Sequence, residues 1–374
     1  MIVRNGEATM TLLMNYNDPR LLEVAQKIFI EQFKRDPKLE AEMDDRRKKL
    51  MYDDVLYNLS HLLTATYYND KKIFRNYSVW IYELLCHLMK DIDRDRISQQ
   101  MKDHYEIMAE IIQSDLTEYL SEREINNAIT CLKEGIDAIE KSVTNVELTY
   151  PFREGKYADI RVQYLNALLK SNTKEAHSII ANARVAHVPL VDIYEDILSK
   201  TLHEVGELWH KNIITVDREH YATSVTQTIM SSFYDEIFNQ PRKEKTMISC
   251  AVGSELHEIG VRMLSDIFEY HGWDTVYLGA ALPKDSILNS IEEHKPDFIA
   301  LSVTMVPYLK TCEDIVYAIQ KQFNNVKIAV GGRAFTSSEQ LWKKWNVDFY
   351  ADNGKALLEW ANKVFDLDGV NNDT

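Results

Sequence analysis

Residues 246–260 read TMISCAVGSELHEIG, an apolar run that leads through a glycine-containing loop into the first turn of a helix. A short apolar run bounded by a turn is typical of a strand buried in a parallel sheet. Four later runs repeat this order of strand and helix: DTVYLG, DFIALSV, VKIAVGG and DFYAD. Five such repeats predict a doubly wound α/β domain, flavodoxin-like and Rossmann-like, over residues 241–374. One of its helices is predicted over SSEQLWKKWN and the last ends near Phe365.

The sequence before these strands has helical periodicity, with apolar residues three and four positions apart. Four helices are predicted at about 157–170, 173–186, 189–210 and 215–238. Their short connections favour an antiparallel four-helix bundle over residues 151–240. Residues 1–150 are predicted to form an all-α N-terminal domain, and the break between the two contains Pro151 and Gly155. Eight of the twelve glycines follow residue 250, which indicates a change of architecture there.

The charge balance limits the classes of partner. The chain has 43 Lys and Arg against 58 Asp and Glu, a formal net charge of -15, which repels phosphate backbones and disfavours direct nucleic-acid binding. No apolar run reaches the roughly twenty residues of a membrane helix, and no basic segment precedes a long apolar stretch at the N-terminus. The four scattered cysteines favour neither a disulfide framework nor a zinc ribbon. We therefore expect a cytoplasmic protein without membrane contact.

Polar residues and glycines follow three of the predicted strands, at the edge where doubly wound sheets bind ligands. They are Glu255, His257, Ser302, Thr304, Gly331 and Gly332. A histidine in this position suits a metal ligand whose second ring nitrogen donates to a carboxylate, for which Glu255 and Glu258 are the local candidates. Taken alone, His257 is explained equally well as a solvated residue at a helix start.

Taken together, the motifs ExHxxG, SVT and GG at the ends of the first, third and fourth strands resemble those of the cobalamin-binding domain. That family reads DxHxxG, SxL or SxT, and GG, so Glu255 stands where it usually has Asp. The resemblance covers about residues 243–366. It implies that His257 displaces the nucleotide base of the cofactor and binds cobalt from below, with Gly260 completing the motif. It also implies that two loops hold the nucleotide tail, through Ser302, Thr304, Gly331 and Gly332.

A second pair of motifs lies in the bundle. Trp209-His210 ends one predicted helix, and Glu219-His220 begins the next. Taken alone, a tryptophan at a helix end usually packs, and a glutamate in a first turn complements the helix dipole. A zinc site of His203, His210 and His220 is disfavoured, because their spacing matches neither an i, i+4 pair nor a CxxC frame.

Beside a cobalamin-binding domain, this pattern looks like that of the adenosylcobalamin-dependent photoreceptor repressors of carotenoid genes. The resemblance, over about residues 157–366, implies that the bundle caps the upper face of the corrin. Trp209 would then stack on the adenosyl group, and Glu219 would bind its ribose. His210 would take the upper cobalt position after light breaks the cobalt–carbon bond, and His220 matches the second histidine of the motif. Asn212 stands where the related turn commonly has glycine.

The N-terminal domain differs from that of these repressors, because residues 1–150 contain no basic winged helix-turn-helix. DNA binding is therefore not implied. The segment 74–80 is similar to the helical domains in front of stand-alone cobalamin-binding sensor proteins. Its neighbouring histidines, His61, His87 and His104, are expected to pack or to face solvent. A protein partner or self-association through this domain is expected.

These features favour a non-enzymatic sensor that binds cobalamin, specifically an adenosylcobalamin photoreceptor signalling through a conformational or assembly change. Two alternatives stay open: a corrinoid carrier of a methyltransferase system, and a light-independent cobalamin sensor. A methyl group does not require Trp209 and Glu219 as a nucleoside clamp, which favours the sensor. An adenosylcobalamin mutase is disfavoured, because the chain has no room for the barrel that usually encloses radical chemistry.

Overall fold

The computed structural model describes residues 18–143 and 152–365. The predicted domain boundary at 150/151 lies outside these described residues, and the division into three domains stays a prediction. The described chain forms two compact units. The first contains the helices between residues 18 and 143 together with two later segments, Met305–Thr311 and Ala334–Leu341; the second contains the rest. No helix within 18–143 or 152–365 is both long and apolar enough to span a membrane.

The first unit is helical, as the periodicity predicts. Its helices are α1 (Pro19–Arg35), α2 (Pro37–Glu42), α3 (Asp45–Tyr68), α4 (Lys71–Leu88), α5 (Arg94–Asp115) and α6 (Glu122–Ser142). Each begins after an aspartate or serine whose side chain accepts a hydrogen bond from a first-turn amide. These caps supply partners for amides that a helix cannot satisfy internally, and so they fix where each helix starts.

Of the N-terminal histidines, which were expected to pack or to face solvent, His61 is buried in the first unit and His104 is half-buried there. His61 stacks on Tyr77 with ring centroids 3.8 Å apart. His104 lies within hydrogen-bonding distance of Asn58 and Gln32. Burial lowers the pKa of both histidines to about 4, because it disfavours the charged imidazolium. Both rings are therefore neutral at physiological pH.

The cap bundle, as we name the helices between residues 158 and 238, differs from its predicted form in two places. It contains α7 (Ala158–Leu169), α8 (Thr173–Val185), the turn Leu190–Asp192, a π-helix (Ile193–Ser199), α9 (Lys200–His210), α10 (Val216–Ser231) and α11 (Tyr234–Phe238). The predicted helix 189–210 thus carries a π-helix in its first half. The predicted helix 215–238 is interrupted after Ser231, where Ser232 donates to the carbonyl of Ile229 and competes with the helical backbone pattern.

The strands form one parallel sheet with the order β2-β1-β3-β4-β5, which confirms the flavodoxin-like prediction. They are β1 (Thr246–Ala251), β2 (Asp274–Tyr277), β3 (Phe298–Ser302), β4 (Lys327–Gly331) and β5 (Phe349–Ala351). The helices are α12 (Ile259–Tyr270), α13 (Lys284–His294), α14 (Leu309–Gln322), α15 (Arg333–Thr336) and α16 (Gly354–Val364). The register pairs Ala251 with Ser302 and Ser302 with Gly331, so the ends of β1, β3 and β4 lie side by side.

The helix predicted over 337–346 is wrong in extent. The structure has the short α15 before it and a 3-10 turn at Leu341–Trp345. Two features break the helix: Gln340 has a left-handed φ of 55°, and Ser338 Oγ donates to the carbonyl of Phe335. The amphipathic pattern of the segment did not reveal these local bonds.

The cap bundle and the sheet are joined inside the second unit by polar contacts of the π-helix. Lys355 Nζ lies 2.8 Å from Asp192 Oδ1 and 3.0 Å from Asp196 Oδ2. Tyr194 donates from its hydroxyl to Asp266 Oδ2, at 3.0 Å. Asp192, which precedes the π-helix, and Asp196 within it thus hold Lys355 at the start of α16, and the buried Tyr194 holds α12.

The Asp266 contact predicts a pH-dependent stability of this junction. Burial raises the pKa of Asp266 to about 6 from an ordinary value of 3.8, although the Tyr194 hydrogen bond and nearby Arg262 oppose the shift. The stability contributed by the protonated Asp266 carboxyl is therefore fully present below about pH 4 and is lost as pH rises through about 6. The free energy of unfolding falls by about 3 kcal/mol at most over this range. We expect Asp266→Asn to raise the unfolding temperature at about pH 8 but not at about pH 4. Circular dichroism melts check this, with exposed Asp235→Asn as the control; equal shifts at both pH values would contradict it.

Candidate functional site

The loop after β1 is positioned by the sheet and by one glycine. Gly253 has a φ of 93°, which turns the chain away from the strand end. The loop then continues to the start of α12 at Ile259, so residues 254–258 lie beside the ends of β1 and β3. The residues predicted from ExHxxG therefore reach the carboxyl edge of the sheet.

Glu255 connects the histidine to the next loop. Its Oε2 lies 3.1 Å from Nδ1 of His257, and its Oε1 accepts the backbone N–H of Thr304 at 2.8 Å. The Glu255 side chain is 2% exposed, whereas that of His257 is 58% exposed. A buried carboxylate thus orients the imidazole so that Nδ1–H donates, which leaves Nε2 with a lone pair that can bind a metal. Glutamate, which stands where the resembling family usually has aspartate, therefore also reaches the histidine.

The other local carboxylate has a different partner. Tyr277 donates from its hydroxyl to Glu258 Oε2 at 3.0 Å. Of the two candidates considered from the sequence, Glu255 is therefore the residue that orients His257. Near this loop, the Cys250 thiol is buried, and burial raises its pKa to about 12, so it stays protonated.

The paired glycines have a role that the sequence did not indicate. Gly332 has a φ of 100°, and a Cβ at this position would lie 2.3 Å from the carbonyl oxygen of Val303. A Cβ at Gly331 would lie 2.8 Å from the carbonyl oxygen of Ala351. The glycines thus allow close packing of neighbouring strand ends, in addition to any approach of a ligand.

Gly260 differs from these two glycines. It lies in the first turn of α12, and no atom beyond its chain neighbours and the backbone of its own helical turn lies within 4 Å of where its Cβ would be. The fold therefore does not require glycine at this position. Open space beside the His257 loop is what a bulky cofactor would need, so this glycine fits a ligand rather than the packing of the protein.

The cap motifs occupy the turn between α9 and α10. Trp209 is half-buried and His210 is buried at the end of α9, and Asn212 adopts the left-handed conformation with a φ of 51°. Glu219 Oε2 accepts from His220 Nδ1 at 2.6 Å, and His220 is exposed. Asn212 therefore adopts the turn conformation for which the related proteins commonly use glycine. The motif residues lie on both sides of this turn.

Sequence reasoning missed one polar partner in the cap. Thr223 donates from its hydroxyl to Glu219 Oε1 at 3.1 Å. The two residues are four apart on α10, and this i, i+4 spacing was the available signal. With His220 on one oxygen and Thr223 on the other, the Glu219 carboxylate is oriented before any ligand arrives.

Large apolar side chains beside these motifs are exposed. Ile213 and Val216 flank the cap turn, and Leu256 lies between Glu255 and His257 with 84% of its surface exposed. Within the described ranges, no three His, Cys, Asp or Glu side chains group as a metal site. One oriented imidazole beside apolar surface fits a metal whose remaining ligands come from a large, largely apolar macrocycle.

Comparison with known proteins supports this fit. Residues 246–358 match the family model described as a B12 binding domain, and residues 160–233 match a second B12 binding domain model. The chain is 22% identical to dimethylamine corrinoid protein 3 of Methanosarcina acetivorans over 203 residues, 53% of this chain and 93% of that protein. It is 22% identical to the HTH-type transcriptional repressor CarH of Myxococcus xanthus over 169 residues, 44% of this chain and 55% of the repressor.

A solved structure shows the same fold. The Methanosarcina barkeri monomethylamine corrinoid protein superposes with a TM-score of 0.50 at 19% identity, covering 56% of this chain and all of that chain. This likeness supports a Rossmann-like sheet with a helical cap. The two domain matches and the curated relatives support a cobalamin-binding family and the binding of cobalamin or a related corrinoid.

Proposed function

We propose that this cobalamin-binding chain is a sensor, specifically an adenosylcobalamin-dependent photoreceptor that signals through a conformational or assembly change. The observation that carries the proposal is the orientation of the Glu219 carboxylate by His220 and Thr223, ten residues after Trp209. A carboxylate held in this way accepts hydroxyl hydrogen bonds without first losing side-chain entropy. A ribose offers two adjacent hydroxyls, whereas a methyl group offers none.

The sheet provides the lower half of the proposed site. His257 would bind cobalt through Nε2, and Glu255 would keep its tautomer fixed through Nδ1. Because Glu255 also holds the amide of Thr304, ligation at His257 is tied to the loop that follows β3. The loops with Ser302, Gly331 and Gly332 hold the nucleotide tail, and the open side of Gly260 admits the cofactor.

The cap provides the upper half. Trp209 offers an aromatic face to the adenine, and Glu219 accepts from the ribose. His210 supplies an imidazole for the upper side of cobalt, and His220 keeps Glu219 in place. When bound, the cofactor supplies a cobalt–carbon bond that visible light breaks. Trp209 and Glu219 would contact the nucleoside only while it is attached, so the bundle would have two states with different contacts.

A corrinoid carrier is the second candidate, and the comparisons favour it in one respect. Several similar proteins are corrinoid proteins named for dimethylamine, trimethylamine or monomethylamine. A carrier would use the same His257 and Glu255 but would have no use for an oriented Glu219. A light-independent cobalamin sensor would use both halves of the site without photochemistry.

The first test is the visible spectrum of the protein reconstituted with adenosylcobalamin in darkness and followed during green illumination, with free cofactor as the control. A bound spectrum that converts to a stable new form supports the photoreceptor. Stable binding without distinctive photochemistry favours a carrier or a ligand sensor. Absence of binding overturns the cobalamin proposal itself.

The cap assignment predicts a change in selectivity. We expect Glu219→Ala to lower the preference for adenosylcobalamin over methylcobalamin about tenfold or more, because a charged hydrogen-bond acceptor is lost. Trp209→Ala should lower it about three- to tenfold through loss of stacking. Equilibrium titrations in darkness measure both ratios. Asp217→Ala, a change of another carboxylate in the same helical turn, is the control; an unchanged ratio in the Glu219 variant would refute the clamp.

A further inference from the structure

The two loops proposed to hold the nucleotide tail continue directly into the first unit. Thr304 is followed by Met305–Thr311, and Arg333, which follows the paired glycines, is followed by Ala334–Leu341. Both segments cluster with the N-terminal helices rather than with the sheet that they leave. A sequence-based domain division does not anticipate this, because the segments lie more than 150 residues from those helices.

The contacts of the second segment come from the first turns of α4. The N-cap residue Asp70 accepts the amide of Lys72 on one oxygen and the amide of Glu339 on the other, at 3.1 and 2.7 Å. Lys72 Nζ donates to the carbonyls of Thr336 and Ser338, at 3.3 and 3.1 Å. These bonds end on main-chain atoms of the loop. The helix therefore holds the conformation of the loop, whatever its side chains.

The first segment is held by α3. Lys310 is only 3% exposed, and its Nζ lies 5.5 Å from the centre of the Tyr67 ring. Val306, Pro307 and Leu309 are also buried. The attraction between the ammonium group and the aromatic face, together with the three buried apolar residues, anchors this segment on the helix.

The two loops are also coupled to each other before they enter the first unit. Gly332 lies against the backbone of Val303 so closely that a Cβ would fall 2.3 Å from its carbonyl oxygen. A displacement of either loop at this point therefore displaces the other. Glu255 couples the position of His257 to the loop after β3, because its carboxylate contacts both the His257 ring and the amide of Thr304.

We propose that the N-terminal helices read out the nucleotide-tail loops: seating of the tail tightens the hold of α3 and α4 on the segments 305–311 and 334–341. This inference rests on the proposed cobalamin site and adds its output route. The N-terminal helices would then respond to cofactor binding without a ligand of their own, because they contact the segments that directly follow both tail loops.

Hydrogen–deuterium exchange of the full chain tests the proposal, with three samples: without corrinoid, with cobalamin, and with cobinamide, which lacks the nucleotide tail. We expect cobalamin to slow exchange in α3 and α4 at least about threefold, and cobinamide to leave it unchanged. Lys72→Met and Asp70→Asn should abolish the slowing. By reciprocity, they should weaken cobalamin binding by no more than the factor by which cobalamin slows exchange in the parent. Lys102→Met, which changes an exposed lysine paired with Glu140, should retain the parent behaviour.

The outcomes separate the two proposals. Spectroscopically bound cobalamin without slowed exchange, or equal slowing by cobalamin and cobinamide, overturns the readout and leaves the cobalamin site intact. Failure to bind either corrinoid counts against the proposed function itself. Slowing that persists in both α4 variants, with their helix content unchanged, also overturns the readout, because the named contacts would then not carry it.

Discussion

Replacing His257 with alanine will weaken cobalamin retention by at least about 100-fold and shift the visible spectrum towards that of a corrinoid without an axial base. Loss of a residue that only orients a metal-ligating histidine typically costs about 10- to 100-fold, so loss of the ligand should cost at least as much. The structure supports this magnitude, because Glu255 is almost fully buried and serves to fix this imidazole. Gel filtration of the loaded protein and its spectrum measure the two effects.

Two further variants make this expectation specific. Glu255→Gln leaves an acceptor for the Thr304 amide but removes the charge that orients the imidazole, so we expect an intermediate loss of about tenfold. His294→Ala removes an exposed histidine at the end of α13 and should change neither retention nor spectrum. If His257→Ala keeps the parent spectrum, cobalt is not bound through this residue.

The sheet was predictable because the apolar runs in the sequence correspond to strands that are buried in the structure. The three central strands β1, β3 and β4 are short apolar runs that are mostly buried in the structure, and the connections after β1, β2 and β3 each contain a helix of at least eleven residues. The edge that carries Glu255, His257 and Thr304 followed from topology alone, because parallel strands bring their carboxyl ends together. A carboxylate partner for His257 was predictable from the two glutamates nearby, but only the structure distinguishes Glu255 from Glu258.

The features that were not predictable depend on contacts between distant parts of the chain. The π-helix at Ile193–Ser199 makes its polar contacts with Lys355 and Asp266, which lie far away in sequence. The break at Gln340 depends on a left-handed residue inside an apparently helical pattern. The grouping of residues 305–311 with the N-terminal helices depends on burial that no local periodicity encodes.

The second large effect is expected at Gly332. Alanine would need a φ near 100° and would place its Cβ 2.3 Å from the oxygen and 2.8 Å from the carbonyl carbon and amide nitrogen of Val303. The backbone of Val303, whose amide donates to the carbonyl of Gly331, cannot move aside as a flexible side chain can. We expect Gly332→Ala to lower the free energy of unfolding by about 3 kcal/mol or more, through combined backbone strain and overpacking. Denaturant unfolding of the protein without corrinoid measures this loss.

Gly260→Ala should have the opposite profile. No atom beyond its chain neighbours and the backbone of its own helical turn lies within 4 Å of its Cβ position, and alanine is favoured over glycine in a helix, so stability without corrinoid should be unchanged or rise by up to about 1 kcal/mol. Gly206→Ala in α9 has equally open surroundings and is the matched control for that helical gain. Cobalamin affinity should fall in Gly260→Ala and stay unchanged in Gly206→Ala, because only the first glycine adjoins the His257 loop. Normal affinity in both would mean that the cofactor does not use the space at Gly260, and the lower site would then rest on His257 and the tail loops alone.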